Sequence, residues 1–420
     1  MKLSEAIALV GKVIPKRGYV QILANVRMSR ANGIITLDAQ NGETGIRCEC
    51  TPYLGEDFVT LVPFTDLKPV AKMKAPVFTF DAERKFLIVD GGDEGKTEIP
   101  CLDPLDYPDF PKPLEGESLS FLAGQIPAAF TQVKHAVAKC VTRYALIGVL
   151  LESNAKGIRL VATDGHRLAK SEMGGPQGAQ LRAIFPVLAL ECVPKDADVS
   201  VLAIQVEKAV LEKVARAEEA LTAAEAAYKQ ETEKDESIRE LDEVEAKCDG
   251  AQKALKAARE QAHTGNYIQA EIIGSDFRIF TRLVDGSFPD YMAIIPTERK
   301  VSVSVDRKAF QDAMKTTCAV VFGDGVPAVT LVGANCHITM KATSSSGQKA
   351  ERVLSVQHMM ANEEPYSIIL NPYYLADMCA ATKTERLVLD FKDRTTPIVA
   401  RSLLGYPEWV EFIMPSTVDN

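Results

Sequence analysis

The sequence predicts an α+β protein built from three tandem copies of one domain, with a coiled-coil hairpin spliced into the second copy. Three observations carry this. First, Tyr107-Pro108-Asp109-Phe110 recurs as Phe288-Pro289-Asp290-Tyr291 and as Tyr406-Pro407-Glu408-Trp409, each time aromatic, proline, acid, aromatic. Second, a strand-like phrase ending in alanine keeps step with it, at Thr36–Ala39, Arg159–Ala162 and Thr339–Ala342. Intervals that avoid residues 206–265 are about 120 residues, the length of a domain, and those that span them are about 180. Third, residues 206–265 carry heptads that the rest of the chain lacks. The copies are expected at 1–113, 114–297 and 298–420.

Copy one opens with a helix expected at Ser4–Val13, with Ser4 as its cap. Strands follow at Val20–Ser29, Ile34–Asp38 and Gly45–Cys50, with Asn32-Gly33 as a hairpin turn. A helix at Thr65–Lys74 and strands at Val77–Phe80, Lys85–Val89 and Thr97–Cys101 complete it.

Copy two begins with strand Ser118–Leu122, helix Gln125–Lys139 and strand Ala145–Glu152. A hairpin follows, Ile158–Thr163 and His166–Glu172, whose Asp164-Gly165 reads as a type I′ turn. Then come strand Leu181–Phe185, a short helix at Val187–Cys192 and strands Val199–Gln205, Ile268–Ile273 and Phe277–Leu283. Copy three places helices at Arg307–Thr317 and Pro372–Ala381. Its strands are Val301–Val305, Ala328–Val332, His337–Ala342, Glu351–Val356, Tyr366–Leu370, Arg386–Lys392 and Thr396–Leu403.

The insertion follows a different period. Val210, Val214, Ala217, Leu221, Ala224 and Tyr228 step alternately by four and three, as do Leu241, Val244, Cys248, Ala251, Leu255, Ala258 and Ala262. The polar stretch Gln230–Ser237 suits a turn between two helices, giving an antiparallel coiled-coil arm over Glu207–His263 in which acids outnumber bases.

Composition bounds the function. The chain is 46% hydrophobic and 25% charged, an ordinary globular balance. Met1-Lys2-Leu3-Ser4-Glu5 opens without an apolar leader, no apolar run is long enough to cross a bilayer, and nine scattered cysteines lack any Cys-x-x-Cys. A cytoplasmic protein with reduced thiols is expected. The net charge of −9 argues against a plainly basic nucleic-acid binder, although a basic lining can sit inside an acidic shell. No nucleophile elbow, phosphate loop or metalloprotease motif is present, and Asp164 with His166 reads as a turn rather than a base and its orienter. Neither catalytic residues, nor a metal, nor a cofactor is expected.

The block Val161-Ala162-Thr163-Asp164-Gly165-His166-Arg167-Leu168-Ala169 resembles the signature of the bacterial sliding clamps, the DNA polymerase III beta subunits. Arg143–Gly148, Leu283–Tyr291, Asn371–Leu375 and Met414-Pro415 resemble further stretches of that family. The resemblance covers the whole chain except the insertion. It implies a non-enzymatic processivity factor: a homodimeric ring of six clamp domains, helices lining the hole and antiparallel sheets outside, that encircles double-stranded DNA. Partners would be the replicative DNA polymerase, the clamp loader and other proteins bearing a clamp-binding motif. The alternative is a clamp-fold scaffold that does not close a ring. DNA contact would fall to Arg17, Lys72 and Arg143, with Lys12, Lys74 and Lys139 nearby. A peptide groove between copies two and three would use Leu146, Thr163, Gly165, His166, Arg167, Leu168, Pro289, Ile294, Asn371, Tyr374, Met414 and Pro415. The subunit contact would use Tyr107, Val320 and Val321. Ala293, the segment around Thr395 and Pro397, and the end Ser416–Asn420 depart from the family pattern, as suits a phage or otherwise distant clamp.

Overall fold

The structure is a computed structural model. It describes residues 1–16, 20–50, 55–114, 117–140, 144–154, 157–174, 181–196, 199–206, 216–217, 219–226, 247–254, 267–296, 298–334, 336–360, 366–402 and 407–416. The helices are α1 Leu3–Val10, α2 Phe64–Leu67, α3 Gln125–Val133, α4 Val187–Cys192, α5 Arg307–Cys318 and α6 Pro372–Ala381. Residues 216–217, 219–226 and 247–254 are also helical. None of the described helices is long and apolar enough to cross a membrane.

The strands, in chain order, begin with β1 Asn25–Ala31, β2 Ile34–Gln40, β3 Thr44–Cys50, β4 Phe58–Pro63, β5 Val77–Asp81, β6 Phe86–Asp90, β7 Lys96–Pro100 and β8 Glu117–Leu122. They continue with β9 Gly148–Asn154, β10 Gly157–Thr163, β11 Arg167–Met173, β12 Leu181–Pro186, β13 Val199–Val206, β14 Tyr267–Ile273 and β15 Phe277–Arg282. The last are β16 Val301–Asp306, β17 Val329–Ala334, β18 His337–Thr343, β19 Lys349–Ser355, β20 Gln357–Met360, β21 Tyr366–Leu370, β22 Arg386–Phe391, β23 Ile398–Ser402 and β24 Glu408–Ile413.

The chain divides into two compact units, and the divide cuts through the second copy. One unit is Met1–Pro127 with Phe185–Gly286; the other is Ala128–Ile184 with Ser287–Asn420. Sheet topology explains the cut. In the first unit an eight-stranded sheet runs β4-β1-β2-β3-β15-β14-β13-β8, so copy one pairs edge to edge with the second half of copy two through β3 and β15. In the second unit a nine-stranded sheet runs β12-β9-β10-β11-β24-β23-β22-β16-β20, joining the first half of copy two to copy three through β11 and β24. Sheets β5-β6-β7 and β19-β18-β17-β21 complete the units. The ladders are antiparallel, as hairpin connections require.

Each unit lays helices on its sheets. In the first, α1 packs on β2 and β3, with Ile7 and Val10 buried on the helix and Leu37, Ile46 and Cys48 buried on the strands. In the second, α5 and α6 pack together, and Phe310, Met314, Leu375 and Met378 join the strand residues Val303, Leu331, Met340 and Leu389 in one core. Each such fully buried side chain contributes about 1.5–3 kcal/mol of transfer free energy.

Several expected boundaries move for local reasons. Helix α1 starts at Leu3, so Ser4 lies inside it; the Lys2 N–H donates instead to the Glu5 carboxylate, 3.2 Å away. The expected strand from Val20 begins as a 3₁₀ turn, Gln21–Ala24, which the Asn25 side chain caps by donating to the Ile22 carbonyl. The expected helix Thr65–Lys74 is α for one turn and 3₁₀ from Lys68, because Pro69 supplies no N–H. The expected helix Gln125–Lys139 ends at Val133, with a 3₁₀ turn at Lys134–Ala136. The segment expected to be a strand from Ala145 opens as a 3₁₀ turn, Tyr144–Leu146. Strands β4, β20 and β24 add to the expected set. Helix α6 has its expected bounds, with the Asn371 side chain accepting from the Tyr373 N–H at 2.9 Å.

The two hairpin turns differ. Asn32 and Gly33 both have positive φ, 52° and 77°, as a type I′ turn demands. At Asp164-Gly165 only the glycine does, at 91°. Asp164 instead accepts the His166 and Arg167 N–H groups at 2.9 and 3.0 Å, and Thr163 pairs with Leu168 across a four-residue loop. The turn is an Asx turn rather than type I′.

Candidate protein-binding groove

The groove candidates all belong to the second unit. The Asx turn presents Gly165 and His166 at the surface and turns Arg167 inward, where it is almost completely buried. Arg167 is held on every side. Its Nε donates to Asp164 at 3.1 Å, its Nη1 to Asp377 on α6 at 2.7 Å and its Nη2 to the His135 carbonyl at 2.6 Å. The Tyr374 ring lies 4.5 Å from the guanidinium carbon, and the His166 ring stacks against Tyr374 at 6.4 Å. Burial works against the Arg167 charge, but the Asp377 hydrogen bond and the charges of Asp164, Asp377 and Glu411 hold its pKa above the usual value. Burial also raises the Tyr374 hydroxyl.

β24 brings the chain end to the same place. The Met414 N–H donates to the His166 carbonyl at 2.9 Å, and the Ser416 N–H to the Ile369 carbonyl at 2.9 Å. Met414 itself is 40% exposed, and Pro415 is half-buried. Leu168 faces Phe412 across the β11–β24 ladder and, with Leu146 and Thr163, is buried, so these three form foundation rather than contact surface. Asn371 acts as the cap that fixes the start of α6, and so of Tyr374.

Pro289 and Ile294 are exposed on the segment that connects copies two and three. That segment is anchored by Tyr291, whose hydroxyl donates to Glu152 at 2.5 Å, and by Arg182, which donates to the Phe288 carbonyl. Its continuation, Ile295 and Pro296, borders a cleft of about 330 Å³ with Lys170, Val410 and Phe412. The structure thus gathers His166, Arg167, Tyr374, Asn371 and Met414 closely, while the cleft, lined by apolar side chains and by Lys170, Glu298, Arg299, Asp390, Lys392 and Arg401, lies on the other face of the β11–β24 ladder. A half-apolar surface with a few fixed polar handles suits an extended peptide. It does not suit hydrolysis, because the Asp164 carboxylate is taken up by two backbone N–H groups and Arg167.

The other candidates fall differently. Lys12, Lys72, Lys74 and Lys139 are exposed, as are Lys68 and Lys134, whereas Arg17 and Arg143 lie outside the described residues. Lys12 donates to the Glu191 carbonyl at 2.7 Å, so it is partly committed to the end of α4. Tyr107 is interior: it packs with Leu23 and Leu61, and its hydroxyl accepts the Gln40 N–H. Val321 is buried and Val320 half-buried against the core of its unit. The expected subunit contact therefore cannot rest on Tyr107 and Val321 as surface side chains. Their exposed apolar neighbours are Leu105, 89% exposed, and Phe322 and Val326, with the Phe322 ring 4.9 Å from Tyr373.

Family models of the DNA polymerase III beta subunit match the chain twice, the central domain over residues 124–218 and the C-terminal domain over residues 292–415. The chain is similar to the beta sliding clamp of Caulobacter vibrioides, with 21% identity over 407 residues, 94% of this chain and 92% of that one. It is 25% identical to the beta sliding clamp of Pseudomonas aeruginosa over 396 residues, 92% and 89% of the two chains. Among solved structures, a sliding clamp of Pseudomonas aeruginosa bound to griselimycin matches with a TM-score of 0.76 at 18% identity, covering 99% of this chain and 97% of that chain. The beta subunit of Thermotoga maritima matches with a TM-score of 0.77 at 17% identity, over 100% and 98%. Two domains of one family, matched in order over more than half of the chain and carried on a fold shared along its length, make this chain a member of the DNA polymerase III beta subunit family, the bacterial-type DNA sliding clamps.

Proposed function

We propose that the chain works as a DNA sliding clamp. Two copies join head to tail around duplex DNA, slide without reading sequence, and tether the replicative polymerase, the clamp loader and other motif-bearing proteins. The observation that carries this reading is the gathering of His166, Arg167, Tyr374 and Met414 into one peptide-sized surface in a chain of this family. Three clamp domains, 1–113, 114–297 and 298–420, give six per dimer. The clamp is a tether and carries out no chemistry.

A protein that must slide cannot hold base edges, so its DNA contact is limited to phosphate charge. Exposed Lys72, Lys74 and Lys139, with Arg17 and Arg143, are the residues we assign to it. We assign the subunit contact to Leu105 on one copy and Phe322 and Val326 on the other, because an obligate contact needs exposed apolar side chains. The insertion we read as a coiled-coil arm. In support, Ala217, Leu221, Ala224, Cys248 and Ala251 are half-covered while every other described helical residue of the insertion is exposed, and all five are heptad positions. Pairing of the two helices, and the seam positions Val210, Val214, Tyr228, Leu241, Val244, Leu255, Ala258 and Ala262, lie outside the described residues.

The test is topological. Once loaded, the clamp is expected to stay on circular DNA and to run off the same DNA after linearisation. Equal release from both forms would leave only a scaffold that does not close a ring. For the groove, griselimycin, found bound to the Pseudomonas aeruginosa clamp, is expected to bind this chain and to lose affinity in Tyr374→Ala.

A further inference from the structure

Behind the groove lies a carboxylate that the groove itself does not use. Side chains of β24 alternate: Val410 and Phe412 line the cleft, while Trp409 and Glu411 point into the core. Glu411 is 0% exposed. Its Oε2 lies 2.9 Å from His135 Nε2, and its Oε1 has no hydrogen-bond partner among the described residues. A carboxylate so poorly satisfied in an interior is costly, and an apolar residue would fill the same space without that cost.

The groups around it belong to the groove. Titratable and charged groups facing Glu411 are His135 from the turn after α3, Arg167 from β11 and Asp377 from α6; the buried Cys379 thiol of α6 also senses its charge. Burial lifts the Glu411 carboxyl above the usual carboxylate range, with His135 and Arg167 opposing. In return, the Glu411 charge is among those that hold Arg167, together with Asp377 and Asp164. His135 links the two, because its ring meets Glu411 and its backbone carbonyl accepts from Arg167. Arg167 in turn supports the Tyr374 ring on which His166 stacks.

We propose that Glu411 and His135 are a proton-linked positioning pair for the groove: the Glu411 charge and the His135 carbonyl together set Arg167, and protonation of Glu411 loosens Arg167 and Tyr374 and weakens the binding of extended peptides. This rests on the groove reading above. Neither residue touches the peptide; both act through Arg167. The sign follows from burial. A carboxyl raised above its ordinary value of about 4.3 takes up its proton at a higher pH than a free one, so the binding-competent, charged form is depleted as pH falls. By reciprocity, a peptide that needs Arg167 in place drives that proton off.

Trp409, the only tryptophan, reports on the pair without any ligand: it lies two residues from Glu411, and its Nε1 donates to the Gln132 carbonyl at 3.1 Å. Griselimycin affinity, measured by calorimetry, is expected to fall about 5–10-fold, the lower range of couplings between linked sites, as pH is lowered from about 7.5 to about 4.3, the ordinary carboxylate value. Trp409 emission should change over the same interval. Glu411→Gln should flatten both profiles and bind more weakly near neutrality. His135→Gln keeps the backbone carbonyl but removes the ring that opposes protonation, so the midpoint of the Trp409 titration should move to higher pH. A wild-type pH profile retained in Glu411→Gln would assign the effect to a group other than Glu411 and overturn the proposal, as would an unmoved midpoint in His135→Gln. Should Glu411→Gln fail to fold, His135→Gln decides. If griselimycin binds at no pH, the groove reading falls; the Trp409 profiles then decide the pair alone, supporting it if the response vanishes in Glu411→Gln and overturning it if the response persists.

Discussion

Arg167 shows how a single side chain can organise a binding surface. Its fork reaches two acids and a carbonyl at once while its face supports Tyr374. Lysine keeps the charge, but its three donors sit on one nitrogen and cannot spread to acceptors on three sides as the guanidinium fork does, and it has no plane to stack. Arg167→Lys is therefore expected to cost about 1–3 kcal/mol in urea unfolding, the range for buried acceptors left unpaired, and to lower griselimycin affinity about 10-fold. Unchanged values in both would mean that the fork is idle. Sequence alone locates this residue, because His166-Arg167-Leu168 sits in a distinctive block. It does not show the turn type, since an acid before glycine is compatible with more than one geometry, and here the Asp164 carboxylate is committed to two N–H groups. Nor does it show Glu411 with His135, which meet from distant parts of the chain and form no local pattern.

Among the elements, period and punctuation are legible where neighbours agree with them. Helix α6 has Asn371 as cap and Pro372 in its first turn, and its bounds follow directly. Strand β24 is harder to read, because Glu408–Ile413 mixes charged and aromatic residues and pairs with β11, far away in sequence. The arm is separable by the same reasoning. Strands β13 and β14 pair up to Val206 and Tyr267, so the host hairpin is closed beneath the insertion. Replacing Glu207–His263 with a short Gly-containing turn is expected to shift the melting temperature by no more than about 4 °C, equivalent to about 1 kcal/mol or less. It should leave the oligomeric state unchanged and affect only a partner that reads the arm. Loss of folding or of the dimer, seen by circular dichroism and light scattering, would make the arm part of the body.

For the whole molecule, the expected dimer places its weight on exposed apolar residues. Leu105→Glu combined with Phe322→Glu should give monomers in light scattering at micromolar concentration, whereas Tyr107→Glu should unfold its own unit, because Tyr107 is interior. A dimer that survives the double change would move the contact elsewhere. Neutralising Lys72, Lys74 and Lys139 together should flatten the salt dependence of DNA association by up to about 3 in log–log slope, equally for any DNA sequence. Strong preference for one sequence would contradict a phosphate-only contact.

The repeated phrases mark three copies in the sequence, but the hydrogen bonds draw the borders elsewhere. With β3 zipped to β15 and β11 to β24, neither of the two large sheets belongs to a single copy. Cutting the chain near Lys112 or Pro296 would strip a strand pair from each fragment and leave raw edges prone to association with other chains. Removing any one of the three copies would thus take a strand partner from another, and the second copy supplies a partner strand to each of the other two.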